Sequence, residues 1–160
     1  MKVLVDSCIW SLALRRRKGA ESLNPNERKL VESLSEAIRD GRVAIIGPVR
    51  QEVLSGIKHE KQFEQVREML VAFADFPIES ADYIDAARLD NLCRRRGAQC
   101  GEVDMLLCAV AARNGWKILT SDAALLRCIE IIGLELPASD PAPRAKKHPR
   151  ADMPDRQTSG

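Results

Sequence analysis

Four carboxylates stand where a fold could bring them together. Asp6 ends the apolar run of "MKVLVDSCIW", and Asp122 ends that of "WKILTSD". Glu52 lies about one turn into "PVRQEVLSG", and Asp104 lies in the first turn of "EVDMLLCAVAARNG". Each has a local explanation when taken singly. Asp6 in Asp-Ser suits a turn that bonds the nearby backbone. Asp104 favours a helix start through the dipole, Asp122 suits an N-cap, and Glu52 suits a solvated helix face. Taken together, two of the acids follow strand ends and two sit near helix starts. Right-handed crossovers in a parallel sheet place those ends on one side, where ligands bind. Four such coincidences point to one acidic pocket, although 116 residues separate Asp6 from Asp122.

Carboxylates at close quarters raise one another's pKa, and a hard divalent cation relieves the repulsion. All-oxygen ligation suits Mg²⁺ or Mn²⁺, which keep several waters and meet substrates through phosphate oxygens. Such an ion lowers the pKa of a bound water and stabilises a leaving oxygen, so the implied chemistry is phosphodiester hydrolysis. Two basic runs supply a counterpart: Arg15, Arg16 and Arg17 in "RRRK", and Arg94, Arg95 and Arg96 before Gly97. Both are expected to flank the acidic edge and to contact nucleic-acid phosphates largely independently of sequence. A solvated helix C-terminus explains the second run equally well. His59 and His148 lie in polar surroundings, which argues against a histidine triad or a zinc site. The five cysteines are odd in number and contain no C-x-x-C pair, so reduced thiols are expected, with Cys108 and Cys128 as small core residues.

The elements that must position these acids are legible from periodicity. "VLV" and "VAII" read as strands covered on both faces, as does "KIL" before Thr120. Asn24, Pro25 and Glu27 announce a helix that carries Leu30, Val31, Leu34, Ala37 and Ile38 and stops at Gly41. Pro48 opens a short helix. Phe63, Val66, Met69, Leu70 and Phe73 form a second apolar stripe, and Tyr83, Ile84, Ala87 and Leu92 a third. A helix ending at Gly115 and another starting at Ala123 follow, and "EIIGLEL" is expected to end in an edge strand. Strands alternating with helices predict an α/β domain with a central, mainly parallel sheet flanked by helices.

Residues 1–136 form the expected domain. Residues 137–160 hold five of the eight prolines and have little apolar content, so they are expected to be a disordered, basic tail. That tail carries five Lys and Arg against three Asp and Glu, whereas residues 1–136 carry 20 of each, which leaves the domain neutral. No apolar run approaches the roughly 20 residues that span a bilayer, and no signal-peptide pattern opens the chain. A cytoplasmic protein without a membrane partner is expected.

In this order and spacing, "VLVDSCIW", "GPVRQEVLSGI", "VDMLLCAVAARNG" and "ILTSDAAL" resemble a PIN domain, and more narrowly the VapC toxins of type II toxin–antitoxin pairs. The third segment is similar to the family's D-x-L-I-A-A-x-A pattern and the fourth to its L-x-T-x-D segment. The resemblance covers about residues 2–136 and implies a PIN-like fold and a metal-dependent endoribonuclease leaving a 5′-phosphate and a 3′-hydroxyl. It also implies a homodimer silenced by a VapB-like antitoxin. Asp6 and Asp104 become the ligands of Mg²⁺ or Mn²⁺, with Glu52 and Asp122 assisting, and Ser7 and Thr120 match the auxiliary hydroxyls. Leu125 and Val49 stand where many relatives have Phe and Thr, which reads as a change in packing. Alternative readings are a housekeeping RNase of the same family and a non-catalytic RNA- or partner-binding module on the same fold. A phospho-receiver domain is disfavoured because "VAIIGP" ends without the acceptor aspartate such a domain requires.

Overall fold

The computed structural model describes residues 1–14 and 22–134, and its sheet contains three parallel strands. β1 (Val3–Val5) lies between β2 (Val43–Ala44) and β3 (Lys117–Leu119). Val3 pairs with Val43 on one side and with Lys117 on the other, and Val5 pairs with Leu119. Being central, β1 is buried along its whole length, which explains a strand with no polar face. Beyond β2, Ile45 continues as an isolated parallel bridge to Asp75.

Seven helices flank this sheet among the described residues: α1 (Ser7–Leu14), α2 (Pro25–Arg39), α3 (Gly47–Leu54), α4 (Glu60–Leu70), α5 (Ser80–Arg95), α6 (Glu102–Asn114) and α7 (Ala123–Ile132). α1 packs on α2 and α3, and α5 packs along α6 and against α7. The start of α2 is fixed by a reciprocal cap: Glu27 N–H donates to Asn24 Oδ1 at 2.8 Å, and Asn24 N–H donates to Glu27 Oε2 at 3.0 Å. At the far end of α6, Gly115 adopts φ 64° and closes the helix in the left-handed conformation that glycine takes without a Cβ penalty.

The chain order β1–α1–α2–β2–α3 and α6–β3–α7 places the starts of α1, α3 and α7 directly after the ends of the three strands. This is the parallel architecture expected from the alternation of strands and helices. The basic run Arg15–Arg17, the expected edge strand within "EIIGLEL" beyond Leu134 and the tail 137–160 lie outside the described residues. No described helix is long and apolar enough to cross a membrane.

The apolar stripes hold only in part: Ile38 and Met69 are 41% and 46% exposed, and the third stripe fails as an inward face. Tyr83 and Ile84 of the third stripe are 55% and 54% exposed, and Ala87 is exposed too. The face of α5 that enters the core carries Asp82, Ala86 and Cys93 instead. The cause is an ion pair that apolar periodicity cannot show. Asp82, only 1% exposed, meets the guanidinium of Arg113 at the end of α6, with Oδ2 accepting from Nη2 at 2.8 Å and Oδ1 lying 2.8 Å from Nε. Asp82 Oδ2 also accepts the Glu79 N–H at 2.8 Å, so one carboxylate caps α5 and joins it to α6. Arg113 further pairs with Glu79 Oε1 at 3.0 Å and lies over the Phe76 ring, 5.6 Å from its centroid.

Removing one partner of a buried pair leaves an uncompensated charge. Arg113→Met is therefore expected to lower unfolding stability by about 2–4 kcal/mol in urea titrations. Arg94→Met, which breaks the exposed pair of Arg94 with Asp90, should cost no more than about 0.5 kcal/mol. Equal losses in the two variants would remove the special role of Asp82.

Candidate metal centre

Asp6 follows the last residue of β1 and is 3% exposed, so its carboxylate needs partners. It has three. Ser7 N–H donates to Oδ1 at 2.6 Å, while the Thr120 hydroxyl donates to Oδ2 at 2.7 Å and the Cys8 thiol to the same oxygen at 3.2 Å. The Ser7 hydroxyl lies 3.4 Å from Oδ1. The backbone of Asp6 is tied as well, its N–H donating to Leu119 O and its carbonyl accepting from Ile9 and Trp10. Asp6 is thus the turn residue that begins α1 and, at the same time, a buried carboxylate at the sheet edge.

Thr120 carries this arrangement across to the third strand. Its hydroxyl donates to Asp6 and accepts the Asp122 N–H at 3.0 Å. Asp122 is the N-cap of α7, its Oδ1 accepting from Leu125 N–H at 2.8 Å. Asp104 occupies the third position of α6, and its Oδ2 accepts the Gly101 N–H at 2.9 Å. A Cβ at Gly101 would come within 3.2 Å of that same oxygen, so the small residue leaves room for the carboxylate. Glu52 lies exposed on α3.

The field around Asp104 shows how these four acids relate. Burial, followed by the charges of Asp6, Asp122 and Glu52, pushes its carboxyl from the ordinary 3.8 up to about 6, although the Gly101 hydrogen bond works the other way. The charges of Asp6, Asp122 and Glu52 thus reach Asp104. Asp104 and Asp122 also act as the helix-start residues that each suggested in isolation. The donor set is all oxygen, which fits Mg²⁺ or Mn²⁺ in kind. As they stand, no three described acidic, histidine or cysteine side chains are arranged around a single ion position. Glu52, with its long exposed side chain, has the greatest freedom to approach one.

Of the basic residues, Arg94 is engaged with Asp90 Oδ2 at 2.7 Å, while Arg95 and Arg96 are exposed at the end of α5. Among the described residues no hydrogen bond or ion pair joins these arginines to the four acids. Arg94 thus takes the role of a solvated helix end.

Sequence reasoning missed Cys8 and Ser121. The Cys8 sulfur lies 3.6 Å from the Thr120 hydroxyl and accepts from Ser121 N–H at 3.5 Å and from the Ser121 hydroxyl at 3.4 Å. Burial is the main influence that pushes the Cys8 thiol up, so it stands beside Asp6 as a neutral donor. The position of Cys8, two residues after Asp6 in a starting helix, was the available signal. Helix starts turn such side chains back toward the capping residue.

The PIN domain family model matches residues 3–129. Among solved structures, that described as FitAcB from Neisseria gonorrhoeae is similar in fold, with a TM-score of 0.64 at 16% sequence identity over 84% of this chain and 95% of that one. No curated protein sequence matches the chain.

Two outcomes are expected. Thr120→Val removes one donor to Asp6 and the acceptor for Asp122 N–H, and should cost about 1–3 kcal/mol in chemical denaturation, with Thr120→Ser restoring most of it. The second concerns pH. Between pH 3.8 and about 6 folded Asp104 keeps a proton that the unfolded chain has lost, so its contribution to stability falls as pH rises through that window. Without divalent ions, the melting temperature of Asp104→Asn relative to the unaltered chain should climb from pH 4 to 6 and level off above. A constant difference across that range would contradict the raised carboxyl.

Proposed function

Since the chain belongs to the PIN domain family, whose members are generally nucleases, we propose that it is a metal-dependent endoribonuclease, the toxin of a VapBC-type toxin–antitoxin pair. The observation that carries this reading is the electrostatic neighbourhood of Asp104, in which Asp6, Asp122 and Glu52 all act on one half-buried carboxyl. An enzyme that merely needed caps at its helix starts would gain nothing from placing four like charges at one sheet edge, because the repulsion opposes folding.

In this reading Asp6 and Asp104 hold Mg²⁺ or Mn²⁺, with Glu52 and Asp122 assisting directly or through water. The bound ion supplies an acidified water and neutralises charge on the scissile phosphodiester. The chain's own residues contribute orientation. Ser7 N–H, the Thr120 hydroxyl and the Cys8 thiol fix the Asp6 carboxylate, and Gly101 N–H fixes that of Asp104. Asp104 Oδ2 accepts one hydrogen bond and keeps lone-pair capacity, whereas each Asp6 oxygen already has two donors in reach, so an ion at Asp6 would compete with one of them. Thr120, bonded to Asp6 and to the Asp122 backbone, keeps the acids after β1 and β3 in mutual register.

Arg95 and Arg96 are the described residues available for RNA phosphates, with Arg94 partly committed to Asp90 and Arg15–Arg17 completing the basic set. A VapB-like antitoxin and a second copy of the chain are the protein partners, and the cytoplasm is the compartment. Two observations weigh against other classes. The β2 end runs Ala44-Ile45-Ile46-Gly47 with no acid, unlike a phospho-receiver, and all four acids are present, unlike a module retained only for binding.

Purified chain should cleave RNA in Mg²⁺ or Mn²⁺ and lose that activity in a chelator. Asp6→Asn and Asp104→Asn should each lower the cleavage rate by about 100-fold or more while leaving the circular dichroism spectrum unchanged. Cleavage by either variant at the original rate would sink the metal assignment.

A further inference from the structure

The donors around Asp6 satisfy its carboxylate without an ion, so an ion that binds there must win a lone pair from one of them. Ser7 N–H reaches Oδ1 at 2.6 Å and the Ser7 hydroxyl lies 3.4 Å from that oxygen, while Oδ2 receives the Thr120 hydroxyl at 2.7 Å and the Cys8 thiol at 3.2 Å. Of the two oxygens, Oδ2 is the one turned toward the end of β3, where Thr120 ties it to the backbone of Asp122. Its two donors are unequal. The Thr120 hydroxyl is buried and committed, because its one proton goes to Asp6 and a lone pair takes the Asp122 N–H at 3.0 Å. A short O–H bond to a carboxylate is among the strong ones, whereas a thiol is a weak donor.

Cys8 also has a second acceptor in reach. Its sulfur lies 3.6 Å from Thr120 Oγ1, whose remaining lone pair takes no other bond among the described residues. From the other side the sulfur is held by Ser121 N–H at 3.5 Å and by the Ser121 hydroxyl at 3.4 Å, neither of which involves Asp6. The S–H can therefore turn from Asp6 Oδ2 to the Thr120 oxygen while the sulfur stays in place. That turn opens a lone pair on Oδ2 and leaves the bonds from Ser7 N–H and Thr120 intact.

We propose that Cys8 is the displaceable donor of the metal centre: its thiol holds Asp6 in the metal-free chain, and its S–H turns to Thr120 on binding of Mg²⁺ or Mn²⁺ at Oδ2. Cys8 is a positioning residue that sets metal affinity through Asp6. A bond made only in the metal-free form opposes binding, and a bond kept in both forms does not. The thiol's bond to a carboxylate at 3.2 Å outweighs its bond to a hydroxyl at 3.6 Å, so the exchange works against the ion. Removing the thiol should therefore destabilise the metal-free chain and tighten metal binding together. This inference rests on the metal centre of the proposed function.

Mn²⁺ binding to the full chain without RNA is measured by isothermal titration calorimetry, and urea unfolding is followed with and without saturating Mn²⁺. Cys8→Ala should bind Mn²⁺ about threefold to tenfold more tightly than the unaltered chain. It should also unfold at lower urea without the ion, with the gap to the unaltered chain narrowing in its presence. Cys8→Ser, which keeps a donor to Asp6, should bind no more tightly than the unaltered chain. Unchanged or weaker binding by Cys8→Ala, equal tightening in Cys8→Ser, or the same urea gap with and without Mn²⁺ overturns the proposal and leaves the metal centre standing. Tighter binding by Ser7→Ala with none by Cys8→Ala does the same and places the ion on Oδ1. An unaltered chain that binds no Mn²⁺ overturns the metal centre and the proposal together.

Discussion

A carboxylate held in the core at the end of the central strand is the constraint around which this molecule is arranged. Asp6 is nearly inaccessible, and a charge so placed costs several kcal/mol unless donors meet it. The donors come from two places in the chain. Ser7 and Cys8 belong to the helix that Asp6 itself starts, and Thr120 arrives from the end of β3, 114 residues away. Meeting that requirement fixes β1 and β3 in register. It also fixes the entry into α7, because the hydroxyl that serves Asp6 accepts from the backbone of Asp122.

The other acids are held by the same economy of groups. Asp104 and Asp122 each receive a backbone N–H at a helix start, an interaction ordinarily worth about 1 kcal/mol. Here the caps offset part of the repulsion that arises when four carboxylates share one edge. They do not remove it: after burial, the charges of Asp6, Asp122 and Glu52 still push the Asp104 carboxyl up. Under the proposed function, a divalent cation would relieve that repulsion.

The far end of α6 carries the ion pair whose carboxylate is the most buried among those of the described residues. Arg113 and Asp82 join the end of α6 to the start of α5. The two helices also pack along each other, so the connection bearing Cys100 and Gly101 is held at both ends. The thiols of Cys93, Cys108 and Cys128 fill the space behind this connection.

Local pattern was enough for much of this. The cap at Asn24, the helix start at Pro48, the stop at Gly115 and the three apolar strands were legible because each depends on residues within a few positions of one another. The positions of Asp6, Glu52, Asp104 and Asp122 were legible too, since strand and helix ends can be read from periodicity and a parallel sheet assigns those ends to one side. The α5 face was misread for the converse reason: Tyr83 and Ile84 are apolar and exposed, and Asp82 is charged and buried, because an arginine 31 residues on enters the core beside it. The role of Cys8 beside Asp6 went unread, although its place two residues after Asp6 in a starting helix carried the signal. By itself, then, the sequence determined which residues end each element and what chemistry those ends could perform. Tertiary structure alone decided that Thr120 joins the donors to Asp6 and which face of α5 is inward, because each depends on a partner that the folded chain brings from far along its length.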